Sequence, residues 1–529
     1  MENITLGMLF DKLIAYGKSD FYPYHMPGHK RQVVQGFPSE LVQADITEIS
    51  DFDNLHQPEG ILLEAQKQAA EAYGAQESFF LVNGSTCGIL SAVSAAVPFG
   101  GHILIARNCH KSVYHAAYLR KLRLSYIYPS VMREYDICEA VTARQVEEAF
   151  LREENAAKEA SRFGGQEKSS IQAVLIVSPT YEGRIADIKA IAEVVHARGI
   201  PLIVDEAHGA HLGFAEGFAV NSCRLGADIV INSVHKTMPA MTQTALLHCN
   251  GSLIDRDVLK RFLHIYQSSS PSYILMASIE QAVRAGIEGK AAFAEFRQQW
   301  YCMLERLQGL KKLKILPRPD TQECILAGCR DFQKGQHHDI GKLIISTKDT
   351  EISGKQLADV LRDAYHLEVE MACQSYVLAM FTVSDIPRGY DRLVQALLEI
   401  DQKLDGKERA SLGEEAPDNR LENQVLHDFY RAWDCPKTEV VLEDAVGCVA
   451  GEFINLYPPG TPIVVPGEVI NRQTIDRIRT CLLAGLEVQG VRQVRDNRDM
   501  AEQMMAEQNI ENQEYERERT KEYVITVLK

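Results

Sequence analysis

Apolar residues along this chain gather in short runs, separated by stretches whose apolar positions repeat with helical spacing. The runs near 78–82, 102–106, 124–128, 171–177, 200–205, 227–232 and 243–248 predict strands. The stretches 61–74 and 85–96 predict helices beside the first of them. Strands and helices that alternate in this way predict an α/β fold with a mainly parallel sheet covered by helices. Ligand groups in such a fold gather at the carboxyl ends of the strands. Before this region, residues 1–20 place Leu6, Leu9, Phe10, Leu13 and Ile14 on one face of a helix, and 21–60 is irregular. Residues 153–170 are polar with no apolar period and read as a surface excursion. The turn Gln267-Ser268-Ser269-Ser270-Pro271-Ser272-Tyr273 opens a helical region to about Leu310, and a helix N-cap accounts for its serines locally.

The pattern divides the chain into an N-terminal segment (1–60), a large domain (61–310), a small α+β domain (311–404), a charged linker (405–423), and a C-terminal domain with a tail (424–529). The tail, rich in Glu, Gln and Arg, predicts helix over 496–522. A length of 529 residues and 46% hydrophobic content permit several cored units. The formal charge of −16 argues against a nucleic-acid partner and is the ordinary acidity of a soluble protein. The first twenty residues lack the apolar core of a signal peptide, and Pro98, Gly100, Gly101 and His102 interrupt the longest weakly polar run, so no membrane span is predicted. Twelve cysteines stand singly; even Cys324 and Cys329 lack zinc-ligand spacing. Reduced thiols of a cytoplasmic protein are the expectation.

The chemistry centres on Ser233-Val234-His235-Lys236-Thr237. Lys236 closely follows the apolar run 227–231, at the end of a buried strand. Either its amine snorkels to solvent, or desolvation lowers its pKa as a Schiff-base lysine requires. About thirty residues upstream, another buried strand ends in Asp205-Glu206-Ala207-His208, room for one α/β crossover. A carboxylate there can pair with a protonated pyridine nitrogen. Asn83-Gly84-Ser85-Thr86-Cys87-Gly88 opens a helix, where free N–H groups and hydroxyls suit a phosphate. Phosphate cradle, pyridine-nitrogen acid and lysine are together the parts of a pyridoxal-phosphate (PLP) enzyme.

With Pro27-Gly28-His29-Lys30, Arg107-Asn108-Cys109-His110-Lys111-Ser112, Tyr457-Pro458-Pro459-Gly460 and Pro466-Gly467-Glu468 added, the chain from about 5 to 500 resembles the bacterial fold-type-I Orn/Lys/Arg decarboxylases. The resemblance implies the short form, without the N-terminal receiver-like domain of the larger relatives. It implies an aspartate-aminotransferase-like large domain, a small domain and an extra C-terminal domain. It implies PLP on Lys236, with Asp205 on the pyridine nitrogen, Ala207 against one ring face and His110 on the other. Ser85, Thr86, Ser233 and His235 are then the phosphate group. His208 lies near the ring hydroxyl or the substrate carboxylate. Glu468 is the first candidate for the substrate's far cationic group, ahead of Asp51 and Asp53, which read locally as a solvated acidic loop. The implied reaction converts a basic amino acid, arginine or lysine ahead of ornithine, to its amine and CO2, in polyamine metabolism or acid resistance. The implied assembly is at least a homodimer, with the serine-rich turn at 267–273 approaching the neighbour's phosphate. An aminotransferase, for which Arg388 or Arg392 could hold the substrate carboxylate, a carbon–carbon lyase, and a silent PLP-binding regulator are the alternatives.

Overall fold

The computed structural model describes residues 8–32, 34–162, 170–317, 337–405, 422–456, 460–494 and 523–529. Seven strands form the principal sheet: β1 (Glu77–Leu81), β2 (His102–Ala106), β3 (Arg123–Ile127), β4 (Ala173–Val177), β5 (Leu202–Asp205), β6 (Ile229–Asn232) and β7 (Ala245–Cys249). All seven lie where the apolar runs predict them. The order is β1-β7-β6-β5-β4-β2-β3. From β6 across to β3 the pairings are parallel. Strand β7 runs antiparallel to both of its neighbours, so the sheet is mainly rather than wholly parallel. Strands β2, β5, β6 and β7 are buried along their full length, as expected where helices cover both faces.

Topology puts four loops on one edge of this sheet. The chain leaves β5 at Asp205, which is in register with Ile231 of β6 and Val177 of β4. It leaves β6 into the single turn Val234–Thr237 that carries Lys236. It leaves β1 into the helix Gly84–Ala96 and β2 into the helix Lys111–Arg120. Beyond the sheet, Ser272 caps the helix Tyr273–Glu288 by accepting from the Leu275 N–H, and Lys290–Leu307 follows. The helix Met8–Gly17 buries Leu9 and Leu13, two of the expected face. Leu6 lies outside the described residues.

Two expectations change. Residues 153–162 are not an irregular excursion: they complete the helix Ala143–Arg162, largely exposed, whose polar composition had hidden its period. The segment 21–60, expected to be irregular, contains the short helix Ser39–Ala44. Most of the linker 405–423, the tail 496–522, and Tyr457, Pro458 and Pro459 lie outside the described residues.

The chain folds as two compact units. The first draws on Met1–Met132, Ile137–Ile345 and Leu378–Lys403; the second on Arg133–Asp136, Ser346–Val377 and Leu404–Lys529. The segment 311–404 is thus shared between them. In the second unit Lys437–Val441, Tyr523–Leu528 and Val491–Gln493 form one sheet, and Ile454–Leu456, Thr461–Val464 and Val488–Gln489 another. These and the helix Arg472–Leu483 enclose a core that includes Ile454, Val464, Ile475, Ile478, Ile525 and Val527.

Candidate active site

Lys236 is half-buried, and its Nζ lies 3.0 Å from Nε2 of His208. Asp205 and His208 at the end of β5, His110 after β2 and His235 after β6 all lie within its electrostatic reach, so three strand-end loops converge on one amine. Burial raises Asp205 above the usual carboxylate range, against the opposing charge of Lys236. The Ala207 N–H donates to Asp205 Oδ1 at 3.2 Å. A carboxyl that burial destabilises as an anion is matched by a cationic partner such as a protonated pyridine nitrogen. His110 is driven down to about 4 by burial first and Lys236 second, so its imidazole is neutral at pH 7. Its Nδ1 accepts from the Ser112 N–H, which caps the helix Lys111–Arg120 and holds the ring in place. A neutral, fixed imidazole suits stacking on an aromatic ring.

The phosphate candidates also meet. The Ser233 hydroxyl donates to Ser85 Oγ at 2.9 Å, joining the loop after β6 to the helix start after β1. Gly84 takes φ +73°, a conformation that glycine adopts without strain. Asn83 makes no side-chain cap; its Oδ1 accepts instead from the Ser268 N–H, and the Gly84 N–H donates to the Gln243 carbonyl at 2.9 Å. Thr86 is exposed on that first turn. His235 is held by its Nδ1 at 2.8 Å from the Thr244 carbonyl. Two hydroxyls beside a helix N-terminus form a fitting cradle for a phosphate dianion.

Glu206 supports the turn from below. It is buried and pushed up to about 7 by desolvation. It accepts from the N–H and hydroxyl of Ser222 and from Asn232 Nδ2, which ties the segment after Asp205 to the end of β6.

Sequence reasoning missed Lys342. It is fully buried, and its Nζ lies 2.7 Å from Nδ1 of His208 and 5.5 Å from the centre of the Tyr181 ring. Tyr181 meets the His208 ring edge-on, 4.5 Å between centroids. Lys342 heads the apolar run Leu343-Ile344-Ile345, whereas Lys236 follows one, so the strand-end signal that marks Lys236 does not mark it. What brings it here is the short pairing of His337–His338 with Arg184–Ile185. Gly183, at φ +98°, permits the approach: a Cβ there would stand 2.7 Å from Cβ of Lys342.

Glu468 belongs to the second unit. Its carboxylate is buried and accepts from the Val465 N–H at 3.0 Å and from Asn423 Nδ2 at 3.1 Å, closing the Val465–Glu468 turn. Asp53 accepts from the N–H groups of Asn54, Glu59, Gly60 and Leu62, and so organises its own loop. Asp51 is exposed at φ +73°.

Sheet order, the lysine after β6, the aspartate ending β5 and the hydroxyl-lined helix start after β1 define a fold-type-I PLP enzyme. Comparison with known proteins narrows the class. The Orn/Lys/Arg decarboxylase major domain matches residues 8–385, and the C-terminal domain of the same family matches 429–485. The arginine decarboxylase of Bacillus subtilis is 32% identical over 477 residues, 88% of this chain and 92% of that protein. The arginine decarboxylase of Bacillus anthracis is 31% identical, covering 91% and 94%. The crystal structure of the Francisella novicida lysine decarboxylase superimposes with a TM-score of 0.78 at 18% identity, over 99% of this chain and 81% of that one. This chain belongs to the Orn/Lys/Arg decarboxylase family and is a decarboxylase of a basic amino acid. Among the described residues no group of His, Cys, Asp and Glu is arranged to hold a metal ion, and no helix is long and apolar enough to cross a membrane.

Proposed function

We propose that this protein decarboxylates L-arginine, with PLP held by Lys236. The observation that carries the cofactor assignment is the convergence of Asp205, His110, His208 and His235 on the Lys236 amine. The arginine assignment is supported by relatives named arginine decarboxylase at 31–32% identity, against 23% for the constitutive lysine decarboxylase of Escherichia coli. Lysine is the second reading.

Bound there, PLP supplies the electron sink for the pair released when the Cα–carboxylate bond breaks. Lys236 would hold the cofactor. Asp205 would keep a ring nitrogen protonated, in a buried site where such an ion pair is screened little by water. His110 and Ala207 would bound the ring. Ser85, Thr86, Ser233 and His235 would hold the phosphate. His208 sits where a proton can be held beside the reacting amine. The net reaction consumes one proton at Cα and releases CO2.

CO2 release by PLP-loaded protein offered arginine, lysine and ornithine separately, with Lys236→Ala as control, is the test. Release from arginine, lost in the variant, is expected. A visible cofactor band without release from any of the three would leave the cofactor assignment standing and sink the reaction. We also read the protein as a cytoplasmic homodimer, its amine product feeding polyamine metabolism. Exposed Phe21, Tyr22, Tyr24 and Met26 support a subunit contact. Light scattering that returns a monomer mass would overturn the dimer.

A further inference from the structure

Gln243 stands at φ +84°, a left-handed conformation that strains any residue with a side chain. It lies between the turn that carries Lys236 and the strand β7. The regular pairing of β1 with β7 ends at Leu81 opposite Ala245, and Gln243 comes just before that end. Strain of this kind persists only where the surroundings hold it.

The conformation serves two hydrogen bonds. The Gln243 carbonyl accepts from the Gly84 N–H at 2.9 Å, and Gln243 Nε2 donates to the Val82 carbonyl at 2.6 Å. One residue thus takes hold on both sides of Asn83. From another segment, Gln267 Oε1 accepts from the Val82 N–H at 2.9 Å, and the Ser268 N–H donates to Asn83 Oδ1 at 3.0 Å. Val82, Asn83 and Gly84 are therefore each fastened by distant parts of the chain. Gly84 opens the helix Gly84–Ala96 at φ +73°, and a glycine left to itself would leave the entry angle of that helix free. A phosphate bound by the first N–H groups of a helix is held only as well as those groups are aimed beforehand.

The same segment reaches the other half of the site. Thr244, next to Gln243, is buried, and His235 Nδ1 lies 2.8 Å from its carbonyl. His235 adjoins Lys236 in the single turn after β6. Two adjacent residues thus hold the phosphate cradle and the lysine turn.

We infer that Gln243 is a positioning residue for the cofactor's phosphate: its strained backbone and its side chain aim the start of the helix Gly84–Ala96 before PLP arrives. The inference rests on the assignment of the phosphate to that helix start with Ser85 and Ser233. The role belongs to the phosphate end of the cofactor, because both hydrogen bonds go to the segment leading into Ser85.

The test compares PLP with pyridoxal, which has the same aldehyde and ring nitrogen but no phosphate. Each is titrated into cofactor-free, full-length protein, and its dissociation constant is read from the visible band. Native protein should bind PLP at least about a hundredfold more tightly than pyridoxal. Gln243→Met keeps the length of the side chain and loses the donor. It should weaken PLP about tenfold and leave pyridoxal within about twofold of native. Gln243→Gly should do the same while holding the thermal midpoint of the cofactor-free protein, because relief of strain offsets the flexibility that glycine adds. A native preference for PLP in both variants overturns the inference. So does an equal loss for the two ligands, which would make Gln243 a general support. If Gln243→Met does not fold, the preference measured in Gln243→Gly decides by the same two criteria. A native protein that binds PLP no better than pyridoxal would instead overturn the phosphate assignment itself.

Discussion

At the scale of single residues the site is a set of groups whose charges burial has reset. Asp205 is the group whose loss should be felt most after Lys236. Asp205→Asn keeps the shape but cannot hold a ring nitrogen protonated, and kcat for the preferred amino acid should fall about a hundredfold with KM little changed. Equal rates in the two proteins would remove Asp205 from the chemistry. Gly183 makes a second test. Gly183→Ala places a side chain at φ +98° and a Cβ 2.7 Å from Lys342 Cβ, so Lys342 must shift. The expected result is a loss of about 1–3 kcal/mol in urea unfolding. Native stability would mean the approach of the two segments is looser than the geometry indicates.

Among the elements, the caps show how distant residues set local structure. The helix Ile61–Tyr73 begins after Gly60, which has no side chain to cap it. Asp53 does so from seven and nine residues away, with Oδ2 accepting from Gly60 N–H at 2.8 Å and Leu62 N–H at 3.0 Å. Its Oδ1 accepts from Asn54 and Glu59. Asp53→Ala would release four N–H groups at once, and part of that loss is recovered by water because the loop is half-exposed. A destabilisation of about 2–3 kcal/mol is expected in urea unfolding. Unchanged stability with lost activity would move Asp53 from loop support to substrate binding. The serine-rich turn shows the same economy: Ser272 caps a helix, and Ser268 is tied to Asn83 beside the phosphate cradle.

For the whole molecule, buried histidines decide the response to acid. His110 and His338 are lowered to about 4 and His248 to about 3, in each case by burial first. A histidine whose folded pKa lies below its unfolded value stabilises the fold above about pH 6.5. That contribution is lost as pH falls towards the folded pKa. Between pH 6.5 and 4.5 each costs about 2 kcal/mol. Glu206, raised to about 7, acts the other way: its contribution is full below its unfolded value and is lost as pH rises through 7. Its gain over the same descent is also about 2 kcal/mol, so the three histidines win. The thermal midpoint should therefore drop steeply between pH 6.5 and 4.5, and His248→Phe should lessen the drop. A flat profile across that window would contradict these burials.

Much of this was legible from the residues alone. Runs of Val, Ile and Leu have one way to hide both faces, and all seven sheet strands lie where those runs stand. Lys236, Asp205, Ser85 and Ser233 were legible because each closes a strand or opens a helix, and a parallel sheet sends those positions to one edge. The helix through Glu153–Arg162 was not legible, because an exposed helix needs no apolar stripe. Lys342 was not read either, because it precedes an apolar run where Lys236 follows one. Its meaning depends on His208, 134 residues away along the chain. Glu468 stood out by its motif, yet its hydrogen bonds to Val465 and Asn423 appear only in the folded chain. Sequence alone determined which segments are strands and which residue types could hold the cofactor, because periodicity and strand ends are local properties. The tertiary structure alone decided which side chains meet, because partners such as Lys342 and His208 stand far apart along the chain and only the fold brings them together.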